Sequence, residues 1–370
     1  MKKILTLLLA LWMLTGCVAM AAGNQLVVGS TTAMSGAFFT DLFGSNTADI
    51  DVRALLHGYN LMSWDHETGT YQINDSVVAG MAVSRDAQNN RVYTFDLYGD
   101  LKFSDGSAIT AKDYAFSILL TASPELAKLG GQSAAVGAIL GMDAYQSGKS
   151  SVLRGVRLLS DTQMSITISK AYEPYFYEMA LFDYSPYPIS VLAPGCKVVD
   201  TEKGVSIVNA GGTGAAIFTA DLLQKTILDA ATGYMSHPSV VSGPYTLTSY
   251  DAQSGTASFA INPYYKGNED GEKPTIETIV YRTVANDEAI DLLLSGEVDL
   301  LNKMVAADTV SKGIQSTADQ PFAVANYPRS GLSMISFSCE RQTVSGKAVR
   351  QAIASCFDRD ALVKAYTGAD

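Results

Sequence analysis

The chain has 370 residues, 47% hydrophobic and 17% charged, with a formal net charge of −11. That length allows two or more domains with sizeable cores, and the composition excludes a disordered or coiled-coil chain. The acidic balance, with no basic cluster after Lys2-Lys3, excludes a nucleic-acid surface.

The basic start leads into the apolar run Ile4 to Leu14, too short for a stable membrane anchor and read as a secretion signal. Its end stays open between two sites. Leu14-Thr15-Gly16-Cys17 has the form of a lipoprotein box, which would remove residues 1–16 and anchor the protein through a lipidated Cys17. Ala19-Met20-Ala21 is a small-x-small site that would remove residues 1–21 and release a soluble form. Either cleavage puts the protein outside the cytoplasmic membrane, in the periplasm or on the cell surface.

Gln25 to Ser30 reads as a short strand, followed by the small and aromatic loop "TTAMSGAFFTDLFGSN" and a helix capped by Asn46 or Thr47 that carries Ile50, Ala54 and Leu55. Tyr93 to Leu97, then Leu101 and Phe103, alternate as strands do, and Asp105-Gly106 has the composition of a tight hairpin turn. Thr110, with Asp113 three residues on, caps a helix through Leu120 that is apolar all round its cylinder, so it is either buried or shows an aromatic elsewhere. Helical pattern continues through "AAVGAILGMDAYQ". "DTQMSITISK" alternates as a half-buried strand, with Met164, Ile166 and Ile168 on one face. "SGPYTLTSYDAQSGTASFAINPYY" reads as two strands joined by a Gly turn, and "IETIVYRTV" as a continuous apolar strand. The helix that follows is capped by Asn286 or Asp287 and ended by Gly296. Repeated alternation of strand and helix gives an α/β class.

Catalytic chemistry finds little support. The histidines are His57, His66 and His237, without HExxH or HxH pairing, so no metal site is predicted. There is no G-x-S-x-G elbow, and "NAGGTGAAIF" lacks the lysine of a phosphate loop. His57 is expected to be a surface or packed residue. Cys196, Cys339 and Cys356 are odd in number and lack CxxC spacing. One bridge among them stays open; three small buried thiols is the plainer expectation.

Four segments together resemble one family, the extracellular solute-binding proteins of the peptide and nickel importer type (family 5). "VYTFDLYGDLKFSDGSAITAKDYAFSI" is similar to its F-S-D-G turn and T-A-x-D helix, and "SGPYTLTSYDAQSGTASFAINPYYKG" to its G-P-Y strand pair. "IETIVYRTVANDEAIDLLLSGEVDLL" resembles its strand, helix and S-G-E-x-D turn, and "GKAVRQAIASCFDRDALVKAYTG" its V-R-Q-A-I helix and D-R pair. The sequence departs from the family at "TTAMSGAFF", where L-D-P is common, and at Tyr98-Gly99 in place of L-R. These changes spare the fold and leave the ligand class open.

The resemblance implies a two-lobe, type II periplasmic-binding-protein-like α/β fold that closes on its ligand about a hinge. Lobe one would comprise residues 25–47 and 156–283, with a smaller inserted domain at 48–155. Lobe two would begin at 284–370 and be incomplete, since relatives continue well beyond the V-R-Q-A-I helix. On this basis the chain is a truncated product or fragment, expected to expose apolar surface and an unpaired sheet edge and to bind weakly; a complete form would be monomeric. The implied function is capture of short peptides for delivery to the permease subunits of an ABC importer, without catalysis or cofactor. An oligosaccharide or nickel-chelate binder of the same family, and a peptide-sensing receptor, are the other readings. The resemblance also implies that Phe116 lines the cleft, the other reading being a core Phe. It points to Phe43, Gly44, Ser45 and Asn46 as a loop whose backbone pairs with an extended ligand, the helix start at Asn46 favouring an anionic group. Arg350 and Asp358-Arg359 read as a helix-surface ion pair or a carbonyl clamp, the other reading being ligand contact.

Overall fold

The computed structural model describes residues 24–65, 67–132, 137–317, 322–326 and 334–367. The signal region with Cys17, and His66, lie outside them. The chain divides into two compact units, Thr32–Arg282 with the residues leading up to Leu26, and Val27–Thr31 with Thr283–Asp370.

The strands, in chain order, are β1 (Gln25–Ser30), β2 (Met62–Asp65), β3 (Thr70–Ile73), β4 (Val78–Arg85), β5 (Arg91–Leu97), β6 (Val156–Leu158) and β7 (Gln163–Ile168). They continue with β8 (Cys196–Thr201), β9 (Gly204–Asn209), β10 (Tyr245–Asp251), β11 (Thr256–Ile261), β12 (Thr278–Thr283) and β13 (Leu300–Asn302). In the first unit β4-β5-β7-β6 form an antiparallel sheet in that order, registered by Met81↔Phe95, Phe95↔Met164 and Val156↔Ile166. Strands on both sides of residue 155, assigned to separate domains from the sequence, thus pair in one sheet. The physical reason is that β5 and β7 bury one continuous apolar face, with Tyr93, Phe95, Met164 and Ile166 all enclosed. β7 was expected to be half-buried, but Ser165 and Thr167 on its other face are covered as well. The hairpins β2–β3 and β8–β9, and the antiparallel set β10-β11-β12, complete this unit's strands.

The helix Ala111–Thr121 packs on β6, β8 and β9 and is buried on every face. Its start is held as the sequence implied: Asp113 accepts from the Thr110 N–H at 2.8 Å and from the Thr110 hydroxyl at 2.9 Å. The helix Thr47–Leu56 is capped by Asn46, whose side chain accepts from the Ala48 and Asp49 N–H groups at 3.0 and 3.1 Å. Its buried face is Ala48, Val52 and Leu56, while Ile50 is 49% exposed. The apolar residues named from the sequence, Ile50, Ala54 and Leu55, therefore sit off the core face.

Other local expectations shift. The Asp105-Gly106 turn closes only the single bridge Lys102↔Ala108, and of the pair only Gly106 has a positive φ, +84°. Within "AAVGAILGMDAYQ", among its described residues, Ile139 pairs with Ile168 as an extended bridge and the helix is Met142–Gln146. The edge of β7 outcompetes helix propensity there, because it offers Ile139 a ladder partner and a buried site.

In the second unit β1 runs parallel to β13, with Val28↔Leu300 in register, and Asp299 accepts from the Val27 N–H at 2.8 Å. Helix Ala289–Ser295 ends at Gly296 as expected, but its cap position is Glu288, so neither Asn286 nor Asp287 caps it. Arg350 donates to the Val344 and Ser345 carbonyls at 2.9 and 2.6 Å, a carbonyl clamp. Asp358 accepts from the Ala361 N–H at 3.0 Å at the start of the helix Arg359–Thr367. Val284, Ala289 and Val298 form this unit's buried cluster, while Ile314, Val349, Leu362 and Val363 are exposed. Cys196 is buried, but Cys339 and Cys356 are exposed free thiols, so the expectation of three buried ones fails for two.

Candidate ligand cavity

A cavity of about 350 Å³ opens in the first unit. Three parts of the chain build it. The loop ahead of helix Thr47–Leu56 supplies Thr40, Asp41 and Leu42; the second half of helix Ala111–Thr121 supplies Ser117 and Thr121; and the segment after the turn Glu178–Phe182 supplies Asp183, Tyr184, Ser185 and Tyr187. Ile139, Ala180 and Leu181 add apolar wall.

Each part is pinned by the fold. Arg53 donates to the Ala37 carbonyl at 2.7 Å and to the Ser45 hydroxyl at 3.2 Å, and the Phe38 N–H donates to the Met235 carbonyl, so the long loop lies flat on the unit. Phe39 packs edge-on against Tyr187 and Tyr234, at 4.7 and 4.9 Å between ring centres. The Tyr187 N–H donates to the Asp113 carbonyl, and the Leu61 N–H to the Tyr184 carbonyl, fixing the Pro-flanked segment on either side.

The lining is rich in oxygen. The Ser117 hydroxyl donates to the Tyr114 carbonyl, and the Thr121 hydroxyl to the Ser117 carbonyl, each at 2.8 Å. Their hydrogens are engaged in the helix and their lone pairs remain. Asp183 accepts from the Asn60 amide at 2.7 Å, yet desolvation outweighs this bond and holds its carboxyl above the usual range. Burial pushes the Tyr184 and Tyr187 hydroxyls up to about 12, so both stay neutral donors at any physiological pH.

The profile of the bacterial extracellular solute-binding proteins, family 5 (middle region), matches residues 76–370, most of the chain. The chain belongs to that family. Among its relatives is the periplasmic oligopeptide-binding protein OppA of Escherichia coli K12, 33% identical over 111 residues, which are 30% of this chain and 20% of OppA. The dipeptide-binding protein of Lactococcus lactis subsp. cremoris MG1363 is 26% identical over 86% of this chain and 54% of its own length. A solved lactococcal OppA, complexed with an endogenous peptide in the closed conformation, superposes with a TM-score of 0.57 at 19% identity, covering 81% of this chain and 48% of that one. The chain thus spans about half, or less, of the length of these relatives. The fold is the mixed α/β, type II two-lobe fold of solute-binding proteins. Family membership places the protein outside the cytoplasm, among proteins that bind solutes rather than transform them. No helix among the described residues is long and apolar enough to cross a membrane.

The family 5 residues named from sequence fall in different places. Phe116 has no exposed surface and belongs to the main core, so it does not line the cavity; its neighbour Ser117 does. The reason is that Phe116 sits on a face of the helix packed into the core, not on the Ser117–Thr121 face that borders the cavity. Gly44 and Ser45 are exposed and Phe43 and Asn46 half-buried, directly after the cavity residues Thr40–Leu42. Asn46 is already engaged on both sides of its amide, as helix cap and as donor to the Ala33 carbonyl, and Asp49 accepts from the Asn46 N–H. The helix start therefore carries its own acidic partner and is closed to a ligand anion. Ser117, Thr121 and Asp183 were missed. One signal existed: Ser117 and Thr121 are the hydroxyls four residues apart in an otherwise apolar helix, hence on one face.

Proposed function

We propose that this chain captures short peptides outside the cytoplasmic membrane and delivers them to the permease subunits of an ABC importer, without catalysis and without a cofactor. The observation that carries the reading is the oxygen-lined cavity of about 350 Å³, at the small end of ligand sites and matched to a few residues of extended chain. The names of the relatives, oligopeptide- and dipeptide-binding proteins, support the same ligand class. Within Phe43-Gly44-Ser45-Asn46, beside that cavity, Gly44 and Ser45 are the exposed residues, and main-chain pairing there with an extended peptide would tolerate varied side chains. Gly44 holds φ +92° with open space around it, so the loop can be approached closely. A lipid on Cys17 would tether the protein at the membrane beside the importer, and the complete protein would act as a monomer. Calorimetric titration of the chain with a casein digest, against malto-oligosaccharides as control, tests the reading. Saturable heat with the digest alone is expected; heat with the sugars alone would overturn it.

A further inference from the structure

Strand β4 is the outer edge of the sheet β4-β5-β7-β6, paired with β5 on one side and, among the described residues, with no strand on the other. Its main chain divides by parity. The Asp86 N–H donates to the Asn90 carbonyl at 3.1 Å where the hairpin closes, so Ser84, Ala82 and Gly80 turn their N–H and C=O groups toward β5. Those of Met81, Val83 and Arg85 point away from the sheet, and among the described residues none of them bonds to main chain beyond it. Proteins ordinarily blunt such an edge with proline, lysine or a short strand. β4 is eight residues long, its bulge lies at the Val78 end, and Met81 to Ser84 carry neither charge nor proline. Val83 is 53% exposed. The guanidinium of Arg85 is drawn aside, to Glu173 at 2.6 Å and to the Asn89 carbonyl at 2.7 Å. Glu173 in turn opens the segment in which Tyr175, Phe176 and Tyr177 are exposed, Phe176 at 82%. Arg85 thus ties an aromatic surface to one end of the unpaired edge, on the face that Val83 shares with Tyr93.

We infer that the outer edge of β4 is a docking site for an extended polypeptide segment, which adds to the sheet as a further antiparallel strand. Donors and acceptors alternating at strand spacing are the complement of another extended backbone. Two residues of the segment would exchange paired bonds with Met81 and Val83, and their side chains would stand on the face of those two residues and the aromatic segment. The residues between them would stand beside Ala82 and Ser84, both exposed. The partner is therefore a segment in which apolar and polar residues alternate. None of the residues lining the cavity lies on β4, so the inference does not rest on the cavity's ligand.

Fluorescence anisotropy of fluoresceinyl-Lys-Thr-Val-Thr-Val-Thr-Lys-amide, blocked at both ends, tests the site on the 370-residue chain. Saturable binding is expected, and excess trialanine, short enough for the cavity, should leave it in place. Displacement by trialanine would put the probe in the cavity and overturn the inference. Val83→Pro removes an outward N–H that makes no bond to β5, a substitution an edge strand tolerates, and should weaken probe binding at least about tenfold. Its thermal melt checks that it is folded. A probe N-methylated at both valines makes the same test without any variant and should weaken by a similar factor, whereas methylation of the central threonine, whose N–H faces solvent, should not. Unchanged binding by the valine-methylated probe or by folded Val83→Pro overturns the inference, as does the absence of saturable binding. If the wild-type chain binds no probe but self-associates, and Val83→Pro abolishes that association, the edge belongs to a second copy instead.

Discussion

Acidification sets two desolvated groups of the first unit against each other. His57 follows the helix Thr47–Leu56 and lies 2.9 Å from the Phe38 carbonyl through Nε2, with Phe39 and Tyr234 rings beside it. Desolvation lowers its pKa from 6.5 to about 4 against the pull of that carbonyl, and Arg53 lowers it further. Asp113, at the start of Ala111–Thr121, is raised by desolvation from 3.8 to about 6 despite its bonds to Thr110. The signs are opposite. For His57 the unfolded chain takes up the proton first, so stability falls as pH drops through 6.5 and levels off below about 4, a loss of about 2 kcal/mol at pH 5. For Asp113 the folded chain takes up the proton first, so stability rises as pH drops through about 6 and levels off below 3.8, a gain of about 1.4 kcal/mol at pH 5. The wild-type chain should therefore show only a small net response from these two groups. Urea unfolding followed by circular dichroism at pH 7.5 and pH 5 separates them through variants. Relative to wild type, His57→Gln should remove the loss and Asp113→Asn the gain, so their pH responses diverge by about 3 kcal/mol. Parallel pH responses in wild type and His57→Gln would refute the claim that His57 is held neutral by burial.

Three further outcomes follow from the packing. Arg91→Ala should destabilise the first unit by about 3 kcal/mol in urea unfolding, because Glu178, 7% exposed and 2.5 Å from Arg91, would be left as a buried unpaired carboxylate; a change below about 0.5 kcal/mol would mean that water reaches Glu178. Gly204→Ala should cost at least about 2 kcal/mol, since φ is +125° and an added Cβ would lie 2.2 Å from the Leu153 carbonyl oxygen; a melting temperature equal to wild type would contradict that approach. The exposed Ile314, Val349, Leu362 and Val363 of the second unit predict concentration-dependent association of the 370-residue chain, seen by sedimentation velocity and reduced by Val349→Glu with Val363→Glu; a single monomeric species at high concentration would contradict it.

Much of the fold was legible because its signals are local. β1 and the pair β10–β11 coincide with the apolar runs that suggested them, and Asn46, Asp113 and Gly296 end or start helices where their side chains or backbone freedom dictate. What local pattern could not supply was partnership. Whether Ile139 extends a helix or pairs with Ile168 depends on a strand about thirty residues away, and the phase of Thr47–Leu56 depends on which face meets the core. Phe116 shows the same limit from the other direction: an aromatic in a helix apolar all round is equally consistent with core and cleft, and only the packing around it decides. The cavity was the least legible part. Its walls come from residues 40–42, 117–121 and 180–187, and serine, threonine and aspartate at such spacing look ordinary until they face one space.

Mass spectrometry of the small molecules released when the purified chain is denatured tests the account most directly. Short peptides, present in proportion to the protein, are the predicted result. A released oligosaccharide, or a metal chelate without peptide, would contradict peptide capture.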